Sequence, residues 1–349
     1  MAKTSLETSR ALKNNYRQIL SIKTTPMTET NNPHPFELLT PDLIMDAIEE
    51  HGFECDGRVF ALNSYENRVY QIGIEGQQKS VIAKFYRPNR WSTEQIQEEH
   101  DFCFELAEHE IPVITPIINS NNESLFKHQE FSFCLFPQVG GHTPELDYQD
   151  NLQIMGRMLA RLHLIGEKKL FNHRPTLDVT SFGQESIDFI SNEFIPFEHK
   201  SSYDNVCKQL MDLMQPKLEN AKNIRVHGDL HIGNILMRDD IPFLVDFDDS
   251  RLAPAIQDIF MLLSGEENEQ KIQLEKVKTA YQEFRDFPHD EIKMIESLRT
   301  LRMLHHCAWL AHRFDDPAFA IAFPWFDENS YWLQHINDLK NQVDAMQQK

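Results

Sequence analysis

Three polar side chains in the second half of the chain have types and spacing suited to phosphate chemistry. Asp229 and Asn234 lie five residues apart in a segment with two glycines, His227 to Asn234, and Asp246 follows downstream. An amide oxygen and a carboxylate are ligands that Mg²⁺ accepts when substrate phosphates complete its coordination. A loop carboxylate can orient an attacking hydroxyl and accept its proton. The pattern predicts magnesium-dependent phosphoryl transfer from ATP, with Asp229 and Asp246 catalytic and Asn234 and Asp246 as metal ligands.

The elements around these residues predict a hairpin that positions the metal ligands. The apolar runs Ile235 to Met237 and Phe243 to Val245 flank a five-residue loop rich in turn formers. If Met237, at the end of the first run, pairs with Phe243, at the start of the second, the register places Asn234 opposite Asp246. Asp229, on the loop that enters the hairpin, then faces the attacking hydroxyl.

The first half of the chain predicts short strands around one helix, Thr93 to His109. The β-prone runs are Val59 to Leu62, Arg68 to Ile74, Ser80 to Phe85, Ile111 to Val113 and Phe131 to Phe136. Lys84 near the end of the third run has the placement in which kinases hold a lysine against the α and β phosphates of ATP. Its partner should be Glu99, because this acid falls on the apolar face of the helix while Glu98 points away. Lys84 and Glu99 are therefore predicted to belong to the ATP site.

The strings HGDLHIGNIL and FLVDFDD closely resemble the aminoglycoside phosphotransferase and choline kinase group of protein-kinase-like folds. Within that group, NSYENRVYQI, VIAKFYRP, EEHDFCFEL, FPQVGG and RLHLIGEKKLFNHRPT are similar to the bacterial stress response kinases, which are protein serine/threonine kinases. The resemblance runs from about Pro35 to near Asp338. It implies that Asp229 is the proton acceptor and that Asn234 and Asp246 hold magnesium.

The phosphate loop between the first two strands, Asn63 to Asn67, departs from protein kinases in general because it has no GxGxxG pattern. Backbone amides and the Ser64 hydroxyl would have to cradle the phosphates. Ser64 alone could equally be a turn residue. The family resemblance implies that Ser64 contacts the ATP phosphates.

The expected fold class is α+β, a bilobal protein-kinase-like fold with a small antiparallel N-terminal β lobe and a larger, mostly helical C-terminal lobe. ATP would lie between the lobes, with its adenine near Leu135 to Pro137. We divide the chain into a flexible leader (1–35, with a short helix at 12–22), an N-lobe (36–137) and a C-lobe (138–345).

Composition limits the partners and the location. The net charge of −20, from 34 basic and 54 acidic residues, disfavours nucleic acid and anionic lipid. The five cysteines are scattered without a CxxC pair, which argues against a disulfide framework and a zinc ribbon. Neither a signal peptide nor a long apolar run is visible. We expect a cytoplasmic monomer without a membrane partner.

Other polar residues have plainer interpretations. His227 is expected to be structural support, and its spacing to His231 is a poor zinc pattern in a loop. Asp248 and Asp249 would form a solvated turn or touch a second metal. Asp258 is explained by helix capping, although in the related kinases such an acid also braces the catalytic loop. His305, His306 and Trp309 would be core or groove-lining residues.

The acceptor hydroxyl stays open at this point. A protein serine or threonine, including the kinase's own, follows from the resemblance. A small-molecule alcohol such as an amino alcohol or aminoglycoside shares the catalytic loop, and an acidic C-lobe would suit a cationic substrate. A nucleotide-binding pseudokinase is disfavoured because each chemical role is filled. The sequence shows no lysine- or arginine-rich groove.

Overall fold

The computed structural model describes residues 35–347, without the side chains of residues 317 and 318. Nearly all of the predicted leader, including its helix at 12–22, lies outside the described residues. From Leu38 onward the described residues form one compact unit.

The N-lobe is an antiparallel five-stranded sheet with strand order β1-β2-β3-β5-β4. Its elements are α1 (Pro41–Glu50), β1 (Cys55–Ala61), β2 (Arg68–Ile74), β3 (Val81–Phe85), α2 (Thr93–Glu108), β4 (Phe126–His128) and β5 (Phe131–Pro137). Helix α2 begins at a capping box, in which the Ser92 side chain and Gln95 satisfy each other's backbone N–H groups. This start fixes the helix that carries Glu99.

The C-lobe is mostly helical and contains four short strands. Its elements are α3 (Asn151–Gly166), α4 (Glu185–Glu193), α5 (Phe197–Leu218), β6 (Ile224–Val226), β7 (Ile235–Arg238), β8 (Ile241–Leu244), β9 (Arg251–Ala253), α6 (Ile256–Phe260), α7 (Glu267–Tyr281), α8 (Ile295–Ala311), α9 (Pro317–Ala322) and α10 (Asn329–Gln347). Strand β6 pairs with β9, and β7 pairs with β8. The predicted bilobal α+β fold is confirmed.

One apolar core holds helix α2 together with the segment that carries Asp229 and Asn234. Phe102 and Leu106 of α2 are fully buried in it, as are Leu230 and Ile235 of the segment that carries Asp229 and Asn234. Because protein interiors are close-packed, the two elements cannot shift independently without opening voids. The core therefore sets the position of the N-lobe helix relative to the segment that carries Asp229 and Asn234.

Two details of the predicted sheet were wrong. Residues 111–113 form no strand; Val113 makes a single bridge to Leu244 of β8, so this segment connects the lobes. The short edge strand β4 was not predicted, because a three-residue strand is too short for a visible alternation.

All five cysteines are free. Among the described residues, no helix has the length and apolarity that a membrane span requires.

Candidate active site

A cleft of about 790 Å³ separates the sheet from the helical lobe. Of the predicted site residues, five line it: Ser64, Lys84, Asp229, Asn234 and Asp246. Its apolar wall is formed by Leu62, Val69, Ile82, Ile114, Phe136, Pro137, Val139, Leu236 and Val245. The cleft thus has an apolar part next to a polar part, a combination that suits the base and the phosphates of a nucleotide.

Lys84 is the ionic centre of the cleft. Its ammonium lies 3.2 Å from Glu99 Oε1, 3.0 Å from Asp246 Oδ1 and 3.2 Å from Asp248 Oδ1, and its side chain is only 6% exposed. Burial alone would lower the pKa of Lys84, but the surrounding carboxylates of Asp246, Asp248 and Glu99 raise this pKa well above its ordinary value. The lysine is therefore a permanent cation.

The choice of Glu99 over Glu98 is confirmed. Glu99 is buried beside Lys84, and burial raises the pKa of its carboxyl group although the lysine opposes this effect. Glu98 instead accepts backbone N–H groups from a loop before α4, at 2.6 Å from Asn172, 3.0 Å from His173 and 2.9 Å from Arg174. The two adjacent acids have different tasks, and only Glu99 reaches the lysine.

The predicted hairpin exists, but its register was wrong by one residue. Ile235 pairs with Leu244, and the turn is the two-residue sequence Asp239-Asp240, whose residues have φ angles of 51° and 60°. Such positive angles form the tight turn whose twist matches paired strands, and aspartate tolerates them. Asn234 accordingly bonds to Val245, whose N–H donates to the Asn234 carbonyl at 3.1 Å. Asn234 does not pair with Asp246 through strand register.

Asp246 reaches the cleft by another route. It has a left-handed backbone (φ 59°, ψ 67°) directly before the helical turn Phe247–Asp249. This conformation is uncommon for a residue other than glycine and persists where surroundings determine it. The side chain is 53% exposed and lines the same cleft as Asn234. The backbone turn at Asp246, and not pairing between the hairpin strands, thus brings Asn234 and Asp246 to one site.

Asp229 is held by two basic side chains. Arg302 of α8 lies 2.5 Å from its Oδ1 and His231 lies 3.5 Å from its Oδ2. Burial alone would raise the pKa of Asp229, but these two partners lower it below its ordinary range. The Asp229 backbone carbonyl accepts the Asn234 amide N–H at 2.9 Å. The carboxylate therefore stays ionised, and the loop is tied to the candidate metal ligand.

The loop is braced from below by Asp258. The carboxylate of this fully buried residue accepts the backbone N–H groups of His227 and Gly228, both at 2.9 Å. Burial would raise the pKa of Asp258, but its hydrogen bond with the buried His163 lowers this pKa. The capping interpretation was wrong, since Asp258 lies inside α6 and caps nothing, whereas the bracing role is confirmed. His227 is structural, with Nε2 on the Val245 carbonyl at 3.0 Å.

Asp248 and Asp249 do not form a solvated turn. Asp248 is buried and pairs with Arg90 as well as Lys84. Asp249 Oδ1 lies 2.9 Å from Arg90 and 2.7 Å from Arg251. Burial opposes its ionisation, but the two arginines lower the pKa of Asp249 to about 2. These acids anchor the segment after Asp246 to both lobes.

The phosphate loop is tied down by a residue that sequence reasoning passed over. Ser64 Oγ bonds within the loop, donating to the Asn67 carbonyl at 3.0 Å and accepting the Val69 N–H at 3.2 Å. The next but one residue, Glu66, reaches Arg87 and Arg313, each at 3.0 Å. The Trp309 indole N–H also donates to Glu66. The loop of the N-lobe is therefore clamped to the end of α8.

The candidate metal ligands fit magnesium chemically. The Asn234 amide nitrogen is engaged with the Asp229 carbonyl, so its oxygen is the end left to accept a cation. Asp246 presents a half-exposed carboxylate. In the described part of the chain, no group of three or more His, Cys, Asp or Glu side chains could hold a metal ion. Two protein oxygens match a magnesium ion that takes its other ligands from phosphates and water.

Several functional candidates were missed because their positions are remote in sequence. Arg90, Arg174, Arg251 and Arg302 meet at or behind the cleft, although the sequence showed no arginine-rich groove. Arg174 is buried and donates to the Ser250 carbonyl at 2.6 Å. Isolated arginines carry no local pattern, and only the three-dimensional fold brings them together.

Comparisons with known proteins agree with this geometry. Residues 58–294 match the sequence model of the family described as "Phosphotransferase enzyme family". Stress response kinase A of Escherichia coli (strain K12) is 42% identical over 320 residues, covering 91% of this chain and 97% of the relative. The protein named Serine/threonine protein kinase RdoA of Salmonella typhimurium is 40% identical over 318 residues, covering 90% and 96%.

Solved structures share the fold at low sequence identity. The amicoumacin kinase hAmiN, in complex with AMP-PNP, Ca²⁺ and Ami, has a TM-score of 0.64 and 20% identity, covering 83% of this chain and 89% of its own. A microcompartment-associated aminopropanol kinase has a TM-score of 0.66 and 18% identity, covering 86% and 94%. Family match, close relatives and fold agree, and the chain belongs to the phosphotransferase enzyme family of kinases.

Proposed function

We propose that this kinase transfers the γ-phosphoryl group of ATP to serine or threonine hydroxyls of proteins, its own included, in a magnesium-dependent reaction of the stress response. The observation that carries the chemistry is the convergence of Lys84, Asp229, Asn234 and Asp246 in one cleft. The acceptor class is supported by the names of the close relatives. A cytoplasmic location, a monomeric state and the domain boundaries at residues 35 and 137 remain predictions.

In the proposed mechanism, the N-lobe positions the nucleotide. Lys84, held by Glu99, donates to the α and β phosphates, and the loop that carries Ser64 covers the phosphates. The apolar wall with Ile82 and Phe136 takes the adenine. Asn234 and Asp246 would hold Mg²⁺, which offsets charge on the phosphates when bound.

The C-lobe positions the acceptor. Asp229 receives the acceptor hydroxyl, orients it toward the γ phosphate and takes its proton. Because phosphoryl transfer has a loose transition state, orientation matters more than strong basicity. An aspartate kept ionised by Arg302 and His231 meets that requirement.

A small-molecule alcohol kinase is the second candidate. The solved relatives include an aminopropanol kinase and a spectinomycin phosphotransferase, whose names give small acceptors for those proteins. The cleft is also large enough for a small acceptor beside the nucleotide. A pseudokinase is disfavoured because Lys84, Asp229 and Asp246 are all present in one site.

The test is a transfer assay with γ-labelled ATP and Mg²⁺, using the purified protein alone and with generic protein acceptors. Asp229→Asn, which keeps the shape of the side chain, is the control for contaminating kinases. We expect label on serine or threonine with wild type and loss of this label in Asp229→Asn. Rapid labelling of choline, homoserine or an aminoglycoside without protein label would replace the proposal with the second candidate.

A further inference from the structure

One face of helix α8 lines the cleft next to Asp229. Its cleft-lining residues follow helical spacing and are Leu298, Arg302, His305, His306 and Trp309. His305 contacts the Phe182 ring at 4.3 Å between centroids, and His306 stacks on Trp309 at 5.5 Å. This face is aromatic and apolar with one cationic side chain, and it contains no acid.

Both histidines on this face are uncharged at neutral pH. Burial lowers the pKa of His305 to about 4, and burial also lowers the pKa of His306. Arg302 is therefore the cation of the α8 face. Its side chain is 41% exposed, and its Nη1 contacts Asp229 at 2.5 Å. A guanidinium has five N–H donors, so this cleft-lining side chain has donors beyond the one that contacts Asp229.

The acids near this face are already matched by bases. Asp229 pairs with Arg302 and His231. Asp249 pairs with Arg90 and Arg251. At the far end of the face, Glu66 is held by arginines and by the Trp309 indole. A polycationic acceptor would have to break these pairs, because each acid here already has a cationic partner.

We propose that Arg302 is a specificity-determining residue that binds a carboxylate beside the acceptor hydroxyl, so that the site selects serine or threonine flanked by acidic residues. The inference rests on the proposed protein-kinase function. Arg302 lies directly beside Asp229, the carboxylate that would receive the hydroxyl. A substrate carboxylate bound to Arg302 would therefore lie close to the acceptor hydroxyl. An acidic flank would share the guanidinium with Asp229, whereas a basic flank would be repelled by it.

The test compares three serine/threonine peptide pools with acidic, neutral or basic flanking residues, assayed with wild type, Arg302→Gln, Arg302→Lys and Arg299→Gln. Arg299 is the matched control, since it lies on the same helix but bonds to Glu296 and Gln270. We expect a KM for the acidic pool about tenfold or more below that of the neutral pool, the size of one charge-assisted hydrogen bond. Arg302→Gln should remove this preference, Arg302→Lys should restore part of it, and Arg299→Gln should keep it.

The split between pools separates recognition from a merely structural role. Because Arg302 also holds Asp229, Arg302→Gln should lower kcat for all pools alike. The inference requires in addition that KM rises for the acidic pool and stays unchanged for the neutral pool, which the loss of the Asp229 contact alone would not cause. If Arg302→Gln is inactive, wild type can be tested directly with competitor pools in which alanine replaces the acceptor residue. The acidic competitor pool should inhibit more strongly than the neutral one, and inhibition that is equal or weaker overturns the inference. Equal labelling of all pools, or preference for the basic pool, also overturns it. Labelling of small alcohols with no peptide pool labelled would instead refute the protein-kinase function on which it rests.

Discussion

The Lys84 ammonium lies 3.0 Å from the Asp246 carboxylate and thereby joins β3 of the N-lobe to the segment after the C-lobe hairpin. Glu99 and Asp248 hold the same ammonium from their own elements. The carboxylate of Asp246 is half-exposed, so it also presents a face to the cleft. This ion pair therefore sets the distance between Lys84, which would contact ATP, and Asp246, which would bind magnesium.

Replacement of Lys84 tests this link. Lys84→Met should lower kcat/KM for ATP by about a hundredfold or more, the usual cost of losing one positioned charge. It should also lower the free energy of unfolding by about 3 kcal/mol, because Glu99 and Asp248 would be buried without this cation. Steady-state kinetics and urea denaturation measure the two effects. Lys79→Met, at an exposed turn before β3, is the control and should change neither.

The brace under the catalytic loop predicts an effect at a distance from the substrate. In Asp258→Asn, an amide NH₂ would face the backbone N–H of His227 or Gly228, at a cost of about 1–3 kcal/mol in stability. The kcat should fall because the loop that carries Asp229 loses its support. Asp239→Asn, at the exposed hairpin turn, should be nearly neutral because asparagine also tolerates the left-handed backbone. Unchanged kcat and unfolding midpoint in Asp258→Asn would contradict the bracing role.

Gly228 is required by its conformation and by lack of space. Its φ is +86°, and an added Cβ would lie 2.1 Å from the Asp249 carbonyl oxygen. Gly228→Ala should therefore lower stability by about 1–3 kcal/mol and strongly reduce activity. Gly140→Ala is the matched control, since an added Cβ there meets no atom within 4 Å. Thermal melts and transfer assays of both variants test the prediction, which fails if the two behave alike.

The clamp on the phosphate loop predicts weaker nucleotide binding when it is removed. Glu66→Ala deletes the contacts with Trp309 and Arg313 that hold the loop against the end of α8, and also the contact with Arg87 of the N-lobe. We expect the KM for ATP to rise about three- to tenfold, the cost of one or two net hydrogen bonds. Amide exchange in residues 63–67 should become faster. Glu75→Ala, at an exposed turn after β2, is the control and should alter neither the KM for ATP nor the amide exchange. If the KM for ATP is unchanged in Glu66→Ala, the clamp does not support nucleotide binding.

The sequence predicted most of the local structure around the site. Strand β2 was predicted with its observed bounds, and helical periodicity correctly chose Glu99 over Glu98 as the partner of Lys84. These predictions succeeded because burial and charge pairing act over one helix face or one strand. The hairpin register failed because the second strand was predicted to begin at Phe243, whereas β8 begins at Ile241, and because the loop was taken as five residues instead of Asp239-Asp240.

The rest depends on contacts between remote segments. Arg302 meets Asp229 and Arg313 meets Glu66 only after α8 is packed against the catalytic loop and the phosphate loop. Such pairs have no spacing rule in the sequence. The bracing role of Asp258 was expected only from the resemblance to related kinases, since a helix start explains an aspartate locally while its actual partners lie on another segment.

The most direct test of the central claim is the single-turnover rate of γ-phosphoryl transfer measured across Mg²⁺ concentrations for wild type, Asn234→Ala and Asp229→Asn. We predict that Asn234→Ala shifts the curve to higher Mg²⁺ and recovers much of the rate, because it removes a metal ligand. Asp229→Asn should be slow at every Mg²⁺ concentration and keep the wild-type midpoint, because it removes the group that receives the hydroxyl. Transfer by wild type without a divalent cation, or identical Mg²⁺ curves for all three proteins, would contradict the assignment.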